Sequence, residues 1–368
     1  MLTEQQRAIV KSTVPLLEAG GEALTTHFYN IMLSENEGVQ PLFNSVHQQT
    51  GAQPRALARS VLMYAKHIDD LSGLGNLPAQ IIHKHVSLQV QPEHYPIVGN
   101  YLLRAIREVL GAEIATDEVI AAWAAAYGQL ADILIGAEKG IYAANAQAEG
   151  GWQGARRFVV AGKQAESVEV TSFILCPEDG GKVLVHQSGQ FIGLRLEIDG
   201  KEVRRNYSLS QAANGESLRI SVKREQGGVV SSHLHDKVQV GDVLEVFAPA
   251  GFFVLDSSDK PLVFMAAGVG ITPIMAMLEQ ALKTQRPITL IHCSRSPAVQ
   301  EAVELPMQNV QVVAGMADAR LLQSWLPEDK DVQAYFLGPV GFMRVAQQAL
   351  QQAGVPAAQC HYEFFGPA

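Results

Sequence analysis

The chain has 368 residues, of which 47% are hydrophobic and 18% charged, and its formal net charge is -9. This length exceeds what one hydrophobic core usually serves, so it predicts two or three domains. The acidic balance, the lack of a Lys/Arg cluster and the scatter of three cysteines argue against a nucleic-acid partner, a disulfide framework and a CxxC zinc site.

The first ten residues lack the apolar core of a signal peptide, which predicts a cytoplasmic protein. One uncharged run, 261–278, is long enough to be considered as a membrane span. Two glycines and Pro273 interrupt it, with strand-like residues before them and helix-like residues after them. The run therefore favours a strand, turn and helix of a soluble domain, with no stable membrane insertion.

Apolar residues recur at helical spacing over the first part of the chain, which predicts an all-α domain over residues 1–148. Thr3 followed by Gln6 fits a capping box at the start of the first helix. Gly20 and Gly21 predict a break between that helical stretch and the next one.

Two further helices are predicted in this domain. One covers 78–89, with Pro78 at its first position and Pro92 beyond its end. The long last helix begins near Thr116. One stripe of that helix carries Ile120, Trp123, Tyr127, Leu130, Leu134 and Glu138.

His85 is placed to meet a buried cofactor. It lies on the apolar stripe of Ile81, Ile82 and Leu88, whereas His83 points about 200° away around the helix. A histidine on an apolar face is more often a satisfied core residue than a ligand, so this position alone leaves both roles open.

Residues 152–256 switch to alternating apolar and polar positions, as in 216–223 and 243–247. Turn signals such as Asp199-Gly200 separate these stretches. The pattern predicts a small antiparallel β-barrel.

Strands alternate with helices over 259–368. The predicted strands cover 262–266, 288–292 and 334–337. This alternation predicts an α/β domain with a parallel sheet, and the fold class is therefore multidomain: all-α, then antiparallel barrel, then α/β.

The N-terminal domain resembles the globin of the flavohaemoglobins. The matching segments are His27 to Tyr29, Leu42 to Asn44, Gln53 with Leu57, His85 to Ser87, Tyr95, and Ala137 with Glu138. The resemblance implies that His85 is the proximal ligand of haem b, as in globins generally. It also implies that Tyr95 and Glu138 hydrogen-bond around the other nitrogen of His85 and increase its basicity. From sequence alone, Glu138 could equally be a solvated charge at a helix end.

On the distal side, the resemblance implies that Phe43 packs on the porphyrin and that Tyr29 donates a hydrogen bond to bound dioxygen. Leu57 would narrow the pocket and keep water away. Gln53 would be a second distal residue, although Pro54 after it predicts that Gln53 sits at a helix start.

The next domain resembles the flavin-binding domain of ferredoxin-reductase-like proteins. The motif residues are Arg205, Asn206, Tyr207 and Ser208, followed at family spacing by Gly227, Gly228, Val230 and Ser231. The resemblance implies that Arg205 neutralises the FAD pyrophosphate while Tyr207 stacks on the flavin and Ser208 hydrogen-bonds it. Phe191 stands where the family usually has tyrosine, so it would contact the flavin by packing alone.

The last domain resembles the nucleotide domain of the same reductases. Its glycine turn consists of Gly268, Val269, Gly270, Ile271, Thr272 and Pro273, between a predicted strand and a predicted helix. Such a turn can receive a pyrophosphate at a helix N-terminus. Gly338-Pro339 with Phe342-Met343 resembles the nicotinamide-side motif, with Leu337 in place of the usual cysteine. The segment 306–333 is shorter than in the family.

The terminal motif resembles the flavohaemoglobin ending. It comprises Glu363, Phe364, Phe365, Gly366 and Pro367. The resemblance places Phe365 beside the flavin and Glu363 near the flavin–haem junction, with Lys84 as a charged neighbour.

These resemblances imply a nitric oxide dioxygenase that uses NADH or NADPH, FAD and haem b to convert NO and O2 to nitrate. The resemblance to the family favours NADH as the electron donor, although Arg295 could accept the 2′-phosphate of NADPH. The expected partners are O2, NO and NAD(P)H, with no nucleic acid, for a monomer. Two alternatives are a gas-binding sensor or store with an auxiliary flavin reductase, and a flavin or ferric reductase whose globin has lost haem.

Overall fold

The structure is a computed structural model that describes residues 2–294 and 310–366. The chain divides into two compact units. The first contains the described residues of Met1–Ala144, Asp199–Arg204 and Gly366–Ala368. The second contains those of Asn145–Ile198 and Arg205–Phe365.

The first unit is helical. Its helices are α1 (Glu4–Ser12), α2 (Val14–Glu35), α3 (Ser45–Gln49), α4 (Ala52–Lys66), α5 (Leu77–Ser87), α6 (His94–Leu110) and α7 (Asp117–Gln147), whose last residues extend past the unit boundary. The predicted capping box is present: Thr3 accepts a hydrogen bond from the Gln6 N–H, and the Gln6 side chain accepts one from the Thr3 N–H. The predicted break at Gly20 and Gly21 is wrong, because α2 runs through both glycines.

Tertiary packing explains the unbroken helix. A Cβ at Gly21 would lie 3.5 Å from Cβ of Ala58, so α2 and α4 approach closely at this glycine. Burial of the α2 face outweighs the weak helix propensity of glycine. Leu24, Phe28 and Met32 of α2 are almost fully buried in the core of the unit.

By length and mean hydropathy (1.5 over its most apolar window), α7 is the one helix in the described part of the chain that could span a membrane. The core helix of a soluble protein passes the same test. Ala122, Trp123 and Ala126 of α7 lie in the hydrophobic core of the helical unit.

The second unit begins with a curled antiparallel sheet. Its elements are β1 (Ala155–Ala165), β2 (Val170–Pro177), β3 (Phe191–Ile198), β4 (Lys201–Ser208, of which 201–204 are assigned to the first unit), β5 (Leu218–Lys223), α8 (Val229–Asp236) and β6 (Val243–Phe247). The strand order is β4-β3-β6-β1-β2-β5. Leu209, directly after β4, bridges Ile220 of β5, and the Ser210 N–H donates to the Arg219 carbonyl at 2.9 Å. These contacts join the two edges of the sheet and close it into the predicted barrel.

A parallel sheet completes the second unit. Its elements are β7 (Leu262–Ala267), α9 (Ile271–Ala281), β8 (Ile288–Ser294), β9 (Val310–Ala314), α10 (Ala319–Ser324), β10 (Gln333–Leu337), α11 (Val340–Ala353) and β11 (Cys360–Tyr362). The strand order is β11-β10-β7-β8-β9, and every pair is parallel. The predicted fold class is confirmed. The carboxyl ends of β7, β8 and β10 meet at one edge, where such sheets bind ligands.

Candidate functional site

Half-buried His85, in the last turn of α5, forms a hydrogen-bonded triad with the buried residues Glu138 and Tyr95. Its Nδ1 lies 2.8 Å from Oε1 of Glu138 and 3.0 Å from the hydroxyl of Tyr95. The Tyr95 hydroxyl also donates to Oε1 of Glu138, at 2.6 Å. Because an ionised carboxylate can only accept, the proton of the neutral imidazole lies on Nδ1. The lone pair of Nε2 is then available to a metal.

Glu138 is 2% exposed, so the alternative of a solvated charge at a helix end does not describe it. A carboxylate taken out of water requires hydrogen-bonding partners, and Tyr95 and His85 provide them. Burial and the hydrogen bond to Glu138 raise the pKa of the Tyr95 hydroxyl well above its ordinary range. Tyr95 therefore remains a protonated donor at neutral pH.

Two more tyrosines hold the segments that carry this triad. The Tyr127 hydroxyl donates to the Tyr95 carbonyl at 2.7 Å, and the Tyr142 hydroxyl donates to the Val90 carbonyl at 2.8 Å. A Cβ at Gly99 would lie 2.6 Å from Cε1 of Tyr127, so this glycine lets α6 approach the tyrosine ring. The first turn of α6 and the loop after α5 are thereby fixed against α7.

A second polar group lies at Tyr29 of α2, which is 4% exposed. Nε2 of Gln53 donates to its hydroxyl oxygen at 3.3 Å. Since the oxygen accepts from Gln53, the hydroxyl proton can be donated to a different acceptor. Burial raises the pKa of Tyr29 above its ordinary value, so the hydroxyl stays protonated. The ring of Phe43 packs edge-on against Tyr29, with centroids 5.5 Å apart.

Gln53 and Pro54 lie in the first turn of α4, as predicted. The Thr25 hydroxyl of α2 donates to the Pro54 carbonyl at 2.7 Å and holds this turn against α2, beside Tyr29. Leu57, one turn further along α4, is half-buried and packs against the helical core.

These side chains fit a haem. A neutral histidine that donates its Nδ1–H to a carboxylate, a carbonyl or water can bind haem iron through Nε2, and a buried phenol is a suitable hydrogen-bond donor to an oxygen ligand. His85 would bind the iron through Nε2, with Glu138 and Tyr95 fixing the imidazole.

The flavin motif forms the second half of β4. Arg205, Asn206, Tyr207 and Ser208 are all partly buried. Burial lowers the pKa of Arg205 and raises that of Tyr207. A partly buried arginine beside a tyrosine suits a phosphate and an aromatic ring system, so these residues fit FAD.

The second flavin segment, 227–231, forms a turn and the start of α8. Gly227 has a φ of 72°, which favours glycine, and Gly228 is the N-terminal cap residue of α8. The Ser231 hydroxyl donates to the Gly228 carbonyl at 3.2 Å and accepts from the Glu225 N–H at 3.1 Å. Val230 is buried, at 4% exposed. The Ser231 hydroxyl therefore stabilises the turn itself.

Phe191 lies inside the barrel. Its side chain is 5% exposed, and a Cβ at Gly251 would lie 3.0 Å from its Cε1. The structure thus gives Phe191 a packing role, and its contact with flavin stays a prediction.

The nucleotide turn lies at the carboxyl end of β7. Gly268 has a φ of 54°, and Gly270 precedes α9. A Cβ at Gly270 would lie 2.4 Å from the carbonyl oxygen of Leu337, so the turn packs directly on the end of β10. The Thr272 hydroxyl donates to the Val269 carbonyl at 3.0 Å and closes the first turn of α9. This cradle fits a nicotinamide dinucleotide.

Around this turn, Ile271 and Pro273 are buried in the first turn of α9. Phe342 and Met343 of the second nucleotide motif are buried in the core of the parallel-sheet domain and do not line an open surface.

The remaining predicted site residues lie at the chain end and on α5. Phe364 and Phe365 are exposed, at 43% and 50%, while Glu363 and Gly366 are half-buried. Lys84 is half-buried in the last turn of α5. Pro367 and Arg295 lie outside the described residues, so the structure does not bear on the roles predicted for them.

Two residues that the sequence analysis does not single out lie at these sites. His292, 2% exposed at the end of β8, has its Nε2 3.3 Å from the carbonyl of Gly268. Its place at the carboxyl end of a central parallel strand is a signal that the sequence contains. Arg204 donates to the carbonyl of Leu88, which directly follows α5. Its one sequence signal is its position before Arg205.

Comparison with known proteins agrees with this architecture. The globin family model matches residues 26–134, and the family described as oxidoreductase FAD-binding domain matches residues 157–255. A flavohemoprotein of Pseudomonas aeruginosa is 59% identical over 388 aligned residues, covering 100% of this chain and 99% of that protein. A flavohemoprotein of Pseudomonas putida is 56% identical with the same coverage.

Solved structures agree as well. A flavohemoglobin from Malassezia yamatoensis with bound FAD and heme has a TM-score of 0.86 at 26% identity, covering 99% of this chain and 100% of that one. The flavohem-like FAD/NAD binding domain of nitric oxide dioxygenase from Vibrio cholerae has a TM-score of 0.51 at 38% identity, covering 58% of this chain and 99% of that one. The chain belongs to the flavohemoprotein family and is an oxidoreductase with haem, FAD and NAD(P)H as its cofactors.

Proposed function

We propose that this oxidoreductase is a nitric oxide dioxygenase, which converts NO and dioxygen to nitrate. The observation that carries the proposal is the buried carboxylate of Glu138 on Nδ1 of His85. A carboxylate on a ligating imidazole increases electron donation to the metal, which reversible gas storage does not require. The solved domain from Vibrio cholerae, described as part of a nitric oxide dioxygenase, supports the same reaction.

The cofactors would supply the redox chemistry: NAD(P)H would give a hydride to FAD, FAD would pass the two electrons one at a time to the haem, and the haem iron would bind the dioxygen that reacts with NO. Formation of one nitrate from one NO and one O2 takes one electron. One NAD(P)H therefore supports two turnovers.

The proximal residues orient the metal ligand. Tyr95 and Glu138 fix the imidazole of His85 in the tautomer whose Nε2 lone pair would bind the iron. Tyr127, through the Tyr95 carbonyl, keeps Tyr95 in place.

The distal residues hold and shield the substrate oxygen. Gln53 directs the Tyr29 hydroxyl by donating to its oxygen, so Tyr29 has its proton free to donate to dioxygen. Phe43 supports the Tyr29 ring from the side, and Leu57 keeps water out of the pocket.

The reductase residues hold the electron donors. Arg205, Tyr207 and Ser208 bind FAD together with the turn over 227–231, and the turn over 268–273 binds NAD(P)H. Phe365 would pack on the flavin, and Lys84 and Glu363 would supply charges for electron transfer from flavin to haem. We further propose a cytoplasmic monomer, in which Cys176, Cys293 and Cys360 are free thiols.

The test is NO consumption by the purified holoprotein under air, with NADH and separately with NADPH, together with the nitrate formed. We expect catalytic NO loss with one nitrate per NO, and loss of activity in His85→Ala while His83→Ala retains haem and activity. A gas sensor or store would instead bind NO without sustained turnover. A protein without a Soret absorption band would be a flavin or ferric reductase that has lost haem.

A further inference from the structure

Arg204 reaches the helix that carries His85. Its Nη1 donates to the carbonyl of Leu88, and its Nε and Nη2 each lie 2.7 Å from Oε1 of Glu202. The Arg204 side chain is 15% exposed. Arg204, Glu202 and Leu88 all belong to the first compact unit, so the contact is internal to the helical unit.

Leu88 is the C-terminal cap residue of α5. Its N–H lies 3.1 Å from the His85 carbonyl, and the N–H of Val90 donates to that same carbonyl at 3.0 Å. Gln89 between them has a φ of 57°, which ends the helix. The backbone of His85 is thus part of the same terminal turn as Leu88, whose carbonyl accepts from Arg204.

A donor and a positive charge are both favourable at this position. The last carbonyls of a helix have no partner within the helix, and the helix dipole places partial negative charge there. The Tyr142 hydroxyl donates a hydrogen bond to the Val90 carbonyl, and Arg204 donates one to the Leu88 carbonyl. Glu202 holds the planar guanidinium in one orientation, because Nε and Nη2 both contact its Oε1.

The surrounding charges agree with this geometry. Burial is the largest cause of both shifts, lowering the pKa of His94 and raising that of Tyr142. The charge of Arg204 is near enough to act on both groups, and its smaller effect lowers each pKa. Glu93, the N-terminal cap residue of α6, opposes the effect of Arg204 and raises the pKa of His94. The guanidinium therefore lies among the groups that surround the loop after α5.

We propose that Arg204 is a positioning residue for the haem ligand: by capping the C-terminal turn of α5 it fixes the backbone of His85 and hence the angle and strength of the iron bond. This inference rests on the proposal that His85 binds the haem iron. It adds a side chain that lies outside residues 26–134, which the globin family model matches, and outside the triad.

The experiment uses the full-length holoprotein reduced with dithionite, so that the readouts do not depend on electron delivery through the flavin. The variants are Arg204→Met, Arg204→Gln and Arg204→Lys. Arg195→Met is the control, because Arg195 also pairs through Nε and Nη2 with a glutamate of the same sheet, Glu245, at 2.6 and 2.7 Å. The readouts are the iron–histidine stretching band in resonance Raman spectra and the rate of haem transfer to apomyoglobin.

We expect Arg204→Met and Arg204→Gln to shift or broaden the stretching band and to release haem on the order of tenfold faster, the effect of losing one charge-assisted hydrogen bond. Arg204→Lys should recover part of both effects, because an ammonium can still donate to the Leu88 carbonyl but cannot reproduce the fork. Arg195→Met should match the wild type.

The inference is overturned if Arg204→Met and Arg204→Gln match the wild type in both readouts. If Arg204→Met does not fold, the polar Arg204→Gln decides the question by the same criteria. A wild-type protein that binds haem but lacks an iron–histidine band would instead overturn the assignment of His85, and the two failures are therefore distinguishable.

Discussion

Glu138 of α7 and His85 of α5 are 53 positions apart in the chain, and their side chains meet at 2.8 Å in the helical core. Because Glu138 is 2% exposed, water competes little for its hydrogen bond to the imidazole. We propose that this hydrogen bond sets how strongly His85 donates electrons to a bound metal.

The first prediction removes that charge while keeping the shape of the side chain. Glu138→Gln should lower the iron–histidine stretching frequency, make the haem reduction potential more positive, and reduce NO turnover by roughly tenfold to a hundredfold. Resonance Raman spectra, potentiometric titration and NO-electrode assays measure the three effects. Glu108→Gln is the control, since Glu108 is on the surface of the same domain and pairs with Arg104. Unchanged potential and turnover in Glu138→Gln would show that the carboxylate is structural.

The second prediction concerns the nucleotide turn. Gly270→Ala places a Cβ 2.4 Å from the Leu337 carbonyl oxygen and 2.7 Å from its carbon, so the turn must move away from β10. We expect kcat/KM for NADH to fall by roughly tenfold to a hundredfold, because small displacements at a binding turn are costly. Haem and FAD contents should stay normal. Gly341→Ala is the control, since a Cβ there meets nothing within 4 Å; equal losses in both variants would contradict the prediction.

The fold class could be predicted from the sequence because each domain has its own pattern of apolar residues. The spacing is helical up to α7, apolar and polar residues alternate in strands such as β5, and strand and helix patterns follow one another from β7 onward. The wrong prediction, a break at Gly20 and Gly21, came from treating glycine as a local signal. The close packing of Gly21 on Ala58 decides the matter, and that contact is tertiary.

The site divides in the same way. His85 and Glu138 could be singled out because helical stripes and a family resemblance both point to them, and Tyr95 because of the resemblance alone. His292 and Arg204 could not, because their roles depend on which carbonyls lie next to them in space. Gly268 and Leu88, which present those carbonyls, are 24 and 116 positions away in the chain.

The third prediction separates flavin binding from haem binding. Arg205→Ala should lower FAD content and NADH oxidation, because the cation that neutralises the pyrophosphate is lost. Dithionite-reduced haem in this variant should still bind dioxygen with the wild-type spectrum. Arg157→Ala is the control, since Arg157 is on the barrel surface, 62% exposed, and pairs with Glu178. Loss of dioxygen binding together with FAD would show that the two cofactor sites are not independent.

The fourth prediction concerns acid stability. Burial lowers the pKa of His292 below its ordinary value of about 6.5. As the pH falls through that ordinary value, the unfolded chain takes up a proton that the folded chain does not, so the free energy of unfolding decreases. The contribution of His292 to the free energy of unfolding is complete above about pH 6.5 and is progressively lost as the pH falls below that value. Paired surface carboxylates such as Asp179, whose pKa is lowered by Arg156, act in a more acidic range.

Urea unfolding of the second unit between about pH 7 and pH 5 measures this effect, with a slope of at most about 1.4 kcal/mol per pH unit for each such histidine. His292→Gln should flatten the slope, because it removes the buried imidazole whose pKa is lowered. A slope in His292→Gln equal to that of the wild type would assign the acid sensitivity to other groups.

The last prediction tests the distal pocket. Tyr29→Phe keeps the ring that packs on Phe43 and removes the hydroxyl that Gln53 orients. A hydrogen bond of about 1.5 to 3 kcal/mol to dioxygen corresponds to a release rate roughly ten to a hundred times faster in the variant. Stopped-flow displacement of dioxygen measures that rate, and NO turnover should fall most at low oxygen.

Carbon monoxide distinguishes the mechanism, because it carries little charge when bound and its release should change much less. Gln53→Leu should have a smaller effect than Tyr29→Phe, since the hydroxyl remains but is no longer oriented. Tyr64→Phe is the control for loss of a buried hydroxyl, because the Tyr64 hydroxyl donates to the Ala126 carbonyl elsewhere in the core. Equal acceleration of both gases in Tyr29→Phe would mean that Tyr29 acts by filling space, and the stabilising hydrogen bond would then be assigned to Gln53.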